Sequence, residues 1–128
     1  MKINEVTEKI IGSAITVHKK LGAGFLESVY QAALAYEMSK INLKFEKEKS
    51  LPVQYEEIYL DIGFRCDFYV EDCVIVECKA VKKIEQIDVA QILNYLKITK
   101  MQVGLLLNFN VLKLTDGLKR IVNNFQEI

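Results

Sequence analysis

The chain has 128 residues and a mass of 14.7 kDa, enough for one compact domain burying roughly two-thirds of its unfolded surface and too little for two ordinary ones. Apolar residues make up 51% and charged residues 27%, which excludes the polar, highly charged composition of a disordered chain. The 17 Lys and Arg balance 17 Asp and Glu, so no global positive field advertises nucleic acid and no basic tail advertises a membrane surface. Met1-Lys2-Ile3-Asn4-Glu5 lacks the apolar stretch of a secretory signal, and no later run approaches the roughly 18 apolar residues of a membrane span. The expectation is a single domain over residues 1–128, cytoplasmic and not membrane-bound. Cys66, Cys73 and Cys78 form no CxxC pair, and only one His accompanies them, so neither a disulfide framework nor a zinc site is expected.

From Ile3, the apolar positions Val6, Ile10, Ile11, Ala14, Val17 and Leu21 recur at helical spacing, and Gly22 and Gly24 supply a stop. A second stripe through Leu26, Val29, Tyr30, Ala33, Leu34 and Met38 continues until Asn42, predicting a helical hairpin or one broken helix. The period then changes. Phe45 to Glu48 and Leu51 to Leu60 are rich in Val, Ile and Tyr near the single Pro, Pro52, which marks the first strands. Phe64 to Val70 and Val74 to Ala80 read as an antiparallel hairpin. A two-residue turn at Glu71-Asp72 would put Glu77 on the face of Cys66 and Phe68, burying a carboxylate among apolar groups. A three-residue loop of Glu71, Asp72 and Cys73 pairs Val70 with Val74 and separates the faces. Phe64, Cys66, Phe68, Val70, Val74, Val76, Cys78 and Ala80 then share one side; Arg65, Asp67, Tyr69, Ile75, Glu77 and Lys79 share the other. The spacing next predicts a helix from about Ile84 to Thr99 and a strand buried on both faces at Val103 to Leu107. A short edge strand at Val111 to Leu114 and a last helix from Thr115 through Leu118, Ile121, Val122 and Phe125 complete the expectation.

On the polar face of the hairpin, Asp67 stands opposite Glu77, and Lys79 follows on the same side because strand side chains repeat every second residue. Carboxylates from two strands supply the oxygen ligands a hard cation such as Mg²⁺ or Mn²⁺ needs, with waters and substrate phosphate oxygens completing the shell, and the Cys78 backbone carbonyl is a further candidate ligand. A lysine beside them can orient an attacking water and neutralise charge on a phosphate. A cross-strand salt bridge on a solvated hairpin accounts for the same three residues without chemistry. His18, on the Ala14-His18-Leu21 side of the first helix, reads as a packing residue rather than a general base.

The chain resembles the GxxExxY proteins of the PD-(D/E)xK nuclease superfamily over nearly its full length. Gly24-Phe25-Leu26-Glu27-Ser28-Val29-Tyr30 is similar to the naming motif, Gly63-Phe64-Arg65-Cys66-Asp67 to the stretch carrying the first active-site Asp, and Val76-Glu77-Cys78-Lys79-Ala80-Val81 to the E-x-K strand. Ala90 to Leu96 and Val103 to Phe109 are similar to the helix and strand that follow. The resemblance implies an α/β fold with a restriction-endonuclease-like α-β-β-β-α-β core, a mixed central sheet flanked by helices. It implies a metal-dependent nuclease hydrolysing nucleic-acid phosphodiester bonds, with DNA favoured over RNA. Asp67 and Glu77 would hold the metal, Lys79 would serve the attacking water, Glu27 would add a carboxylate and further ligand, and Gln91 would project towards the same site. Asp88 stands where a His is often found in the family, so any role of that His is lost or altered. Lys82, Lys83 and Tyr95 are candidate substrate contacts, and the Lys119-Arg120 pair could also meet phosphates. The superfamily often dimerises, yet no apolar stripe in the sequence is assignable to a homodimer interface. The alternative reading is a nuclease-fold module that binds nucleic acid or protein without efficient cleavage.

The neutral total also averages two unlike segments. Residues 46–77 carry nine acids against three bases, and residues 79–120 carry eight bases against three acids. The expectation is an acidic site flanked by a basic segment, provided those bases share one face.

Overall fold

The computed structural model describes residues 1–125, apart from the side chains of Ile62 and Phe64. Two helices open the chain, α1 (Ile3–Leu21) and α2 (Glu27–Lys40), followed by strands β1 (Phe45–Tyr55), β2 (Ile58–Val70) and β3 (Val74–Lys79). Helix α3 (Gln86–Thr99) then crosses to β4 (Val103–Asn108), and a 3₁₀ turn (Leu114–Gly117) leads into β5 (Leu118–Val122). Among the described residues the sheet has five strands in the order β1-β2-β3-β4-β5. It is antiparallel except for β3 and β4, which run parallel because α3 returns the chain between them. The α-β-β-β-α-β core and the mixed sheet flanked by helices are both present. Among the described residues no helix is long and apolar enough to cross a membrane.

Two apolar clusters sandwich the sheet. On one face Val6, Ile10, Ala14 and Val17 of α1 and Tyr30, Leu34 and Met38 of α2 meet Phe68, Val70, Val74, Val76, Leu105 and Leu107. On the other, Ile92 and Leu96 of α3 cover Leu51, Ile75, Leu106 and Ile121. Every residue of β4 is buried, which explains its uninterrupted Val-Gly-Leu-Leu-Leu-Asn run.

The β2–β3 register is the one predicted: Val70 pairs with Val74, Tyr69 with Ile75 and Phe68 with Val76. Glu71 and Asp72 take left-handed conformations, and the Cys73 N–H donates to the Val70 carbonyl at 3.0 Å.

Four expectations need correction. The stretch from Leu51 to Leu60 is not one strand, because a turn at Glu56-Glu57 with Glu56 in the left-handed region separates β1 from β2. Cys66 does not share a face with Phe68: it packs with Ile75 and Leu51 beneath α3, whereas Phe68 lies in the α1/α2 cluster. The alternation breaks at Asp67, where the β1–β2 ladder skips its partner Glu48, itself left-handed at φ 51°, while the register stays the same on either side. No edge strand forms over Val111 to Leu114, since that segment is tied down as a loop across the end of α1. The last helix is instead β5, antiparallel to β4. Leu118, Ile121 and Val122 have a helical i, i+3, i+4 spacing, but the buried outer edge of β4 must find hydrogen-bond partners, and β5 supplies them.

Candidate active site

The three residues singled out on the hairpin gather at one end of the sheet. The β2–β3 ladder stops at Phe68 and Val76, and beyond it side chains replace the backbone pairing. The Asp67 backbone N–H donates to Glu77 Oε1 at 2.9 Å, and the Cys78 N–H donates to Asp67 Oδ2 at 2.8 Å. Each carboxylate therefore satisfies the other strand's backbone, which fixes both carboxylates where the strands part.

Helix α2 contributes from its N-terminus. Glu27 is its first residue, where the helix dipole favours an acid. One turn later the Gln31 amide donates to Glu27 Oε1 at 3.5 Å and also hydrogen-bonds the Asp67 carboxylate. Gln31 thus links the α2 carboxylate to the strand carboxylate, as its i+4 position from Glu27 permits. The sequence reading missed it, although that spacing was the signal available.

Crowding sets the electrostatics. Burial, reinforced by the Asp67 charge, pushes the Glu77 carboxyl up to about 8, against the lowering effects of the Asp67 N–H and Lys79. Burial also raises Asp67, opposed by hydrogen bonds from Cys78 and Gln31 and by the Lys79 charge. Glu27 is raised by partial desolvation and by Asp67. Three acids therefore share one neighbourhood with Lys79 as the nearby cation common to all three. Lys79 itself lies 3.8 Å from Asp88 Oδ1. Asp88 closes the capping box of α3, its Oδ2 accepting from the Glu85 N–H at 2.9 Å, so the helix start positions the lysine's partner.

The loops beside the site are fastened by residues that carry no charge. Tyr30 donates from its hydroxyl to the Gly22 carbonyl at 2.6 Å, accepts from the Phe25 N–H at 3.2 Å, and stacks on Phe109 at 4.6 Å. The α1–α2 connection needs Gly22 and Gly24 at φ 72° and 105°, a region open chiefly to glycine. Buried Asn108, paired with Lys79 across β3 and β4, donates to the Val81 carbonyl at 2.9 Å and accepts from the Val81 and Asn110 N–H groups.

These elements, in this order, agree with one comparison. A family model for the PD-(D/E)XK nuclease superfamily matches residues 4–121. The chain belongs to that superfamily. No curated protein and no solved structure gives a match. Membership in the PD-(D/E)XK superfamily makes a nuclease-like function the coarse reading of the chain.

The structure places the remaining candidates of this PD-(D/E)XK chain less centrally. Gln91 is exposed one turn beyond Asp88 on α3, and among the described residues no hydrogen bond joins it to the carboxylates. Lys82 and Lys83 are exposed in the loop directly after β3. Tyr95 packs half-buried against the cluster beneath α3. His18 is buried, with Nε2 2.7 Å from the Val111 carbonyl, which makes that nitrogen the donor and gives the imidazole a structural task. Burial pushes the Cys66 thiol up to about 12, so it stays protonated near neutrality.

Among the described residues no three His, Cys, Asp or Glu side chains form a group that could hold a metal. Mg²⁺ does not require such a cage, because it keeps several waters and takes one or two carboxylates plus substrate phosphate. Two hard oxygen donors, crowded enough that burial and mutual repulsion hold Glu77 near 8, fit a hydrated divalent cation.

Proposed function

We propose that this chain is a metal-dependent nuclease of the GxxExxY group, a single domain that hydrolyses nucleic-acid phosphodiester bonds, with DNA as the favoured substrate. The observation that carries the reading is the mutual engagement of Asp67 and Glu77 where β2 and β3 part, with Lys79 beside them. Asp67, Glu77 and the Cys78 carbonyl would hold Mg²⁺ or Mn²⁺, and Glu27 would join through Gln31. Such a cation supplies Lewis-acid polarisation of the phosphate and acidifies water. Lys79, steered by Asp88, orients the water that attacks phosphorus and balances the charge that builds on the phosphate oxygens as the P–O bond to the leaving oxygen breaks. Gln91 would support the substrate from α3, and Lys82, Lys83 and Tyr95 would flank it. A cytoplasmic location belongs to the same reading.

The Lys79–Asp88 pair favours a second reading, because an ammonium held by an aspartate can serve structure alone. In that case the chain is a binding or accessory module for nucleic acid or protein. The two readings separate on purified protein given single-stranded, duplex and branched DNA and RNA with Mg²⁺ or Mn²⁺. The nuclease reading expects cleavage that falls by about 10²-fold or more in Lys79→Ala and in Asp67→Ala. Salt-sensitive binding with no cut on any substrate supports the module, and cleavage untouched by both substitutions removes the site assignment.

A further inference from the structure

Leu112 is 99% exposed, yet the loop that carries it is anchored on both sides. Before it, Asn108 is locked to Val81 and Asn110, Phe109 stacks on Tyr30, and the Val111 carbonyl is gripped by His18 at 2.7 Å. After it, Leu114 is buried in the α1/α2 cluster. A single exposed leucine is ordinary on a surface; one presented to solvent from a loop held at both ends is not explained by packing.

Its surroundings are cationic. A groove of about 440 Å³ runs between the end of α1 and this loop, lined by Ile15, His18, Lys19, Leu112, Lys113 and neighbouring loop residues, with no carboxylate among them. Lys19 and Lys113 are exposed and form no ion pair among the described residues, unlike Lys20, which meets Glu37 at 3.4 Å. The groove also lies at the site end of the sheet. The Phe109 N–H donates to the Lys79 carbonyl at 2.9 Å, and Leu112 is four residues beyond Asn108, hence at most about 14 Å from it. At about 3.4 Å per base step that is roughly four steps from Asn108, the residue paired with Lys79.

We infer that this groove seats the substrate strand beyond the cleaved bond, with Leu112 as a wedge against base faces and Lys19 and Lys113 on the flanking phosphates. The inference rests on the nuclease reading and deepens it by naming a substrate class. Leucine offers no hydrogen bond to a base edge, so it reads no sequence. It gains only by covering a base face, which requires an unstacked step. Unpaired strands and junctions present such faces without the unstacking cost of intact duplex. The substrate is therefore DNA with an unpaired or junction base near the cut.

The test uses a forked DNA with 2-aminopurine at the junction and the matching intact duplex, with the full chain carrying Lys79→Ala so that the probes survive. Binding should raise the aminopurine fluorescence of the fork. Adding Leu112→Ala should abolish that rise, and in otherwise unaltered protein Leu112→Ala should erase any preference for cutting fork over duplex. Lys19→Ala with Lys113→Ala should make the salt dependence of fork binding shallower by about 0.7 to 0.9 for each phosphate no longer neutralised. A fluorescence rise that persists with Leu112→Ala overturns the wedge while leaving the nuclease reading intact. Cleavage by Lys79→Ala protein overturns the catalytic assignment and leaves the wedge readable with the metal chelated. Absence of any DNA binding overturns both, and a Leu112→Ala effect confined to self-association would assign the groove to a second copy of the chain.

Discussion

Glu77 concentrates the chemistry of the site in one side chain. Its folded-state value near 8 lies above the ordinary 4.5 because burial and Asp67 both disfavour its charge. Between those two values the folded protein keeps a proton that the unfolded chain has released. Stability of the metal-free protein is therefore full below 4.5 and falls as pH rises towards 8, by up to about 1.4 kcal/mol per pH unit. A divalent cation needs the ionised form, so its stabilising effect runs the opposite way and grows with pH over the same window. Thermal melts from pH 5 to 8, with Mg²⁺ and with chelator, should show two curves that diverge as pH rises, and Glu77→Gln should flatten the chelated curve. Parallel curves would place the cation elsewhere. At this scale the sequence pointed to Asp67, Glu77 and Lys79 through their spacing on the hairpin together with the resemblance of the flanking motifs. Gln31 was signalled only by its i+4 distance from Glu27, and Asn108 acts through contacts with another element, which no local spacing announces.

The elements hold the site by close approach rather than by charge. Gly104 of β4 lies directly beneath α3: a Cβ there would come within 2.7 Å of Ile92 Cγ2. The absent side chain leaves room for Ile92 against the sheet, one turn from Asp88, which lies 3.8 Å from Lys79. Gly104→Val should lift the helix and destabilise the fold by about 1 to 3 kcal/mol, read as a lower urea midpoint with an unchanged slope. An unchanged midpoint would show that α3 repacks freely. The three-residue turn before β3 was legible because the competing register would have buried Glu77 among apolar groups. The end of the chain was not, because Leu118, Ile121 and Val122 fit a helix face and a strand equally well, and the decision lies with the unpaired edge of β4. Cys66 changed faces for a similar reason, since the irregularity at Asp67 depends on how Glu48 sits in β1.

Across the whole molecule, a formal charge of zero hides an uneven layout. The acidic segment delivers Asp67 and Glu77 to the site, as its composition suggested, but the basic segment does not gather on one face. Lys97 and Lys100 line a separate pocket with Gln102, Asn123 and Asn124 at the far end of α3, and Lys97 is about 14 Å along the helix from Asp88. Lysines at a helix C-terminus complement its dipole, and that negative end disfavours an anion. The exposed cations that remain as candidates to meet a strand are Lys82 and Lys83 after β3, and Lys19 and Lys113 at the groove. If net charge governed association, DNA affinity would scarcely respond to salt. If these four lysines each meet a phosphate, the logarithm of the binding constant should fall with the logarithm of salt at a slope of about −3.6 on duplex DNA, roughly a 10²-fold loss between 50 and 200 mM. The carboxylates repel the same phosphates until a divalent cation covers them, so the slope belongs to measurements made with the cation present, and chelation should weaken binding at every salt concentration. Anisotropy titrations of Lys79→Ala protein, which leaves those four lysines in place, read both effects. A flat response to salt would show that the lysines stand clear of the strand and that the neutral total is the property the nucleic acid meets.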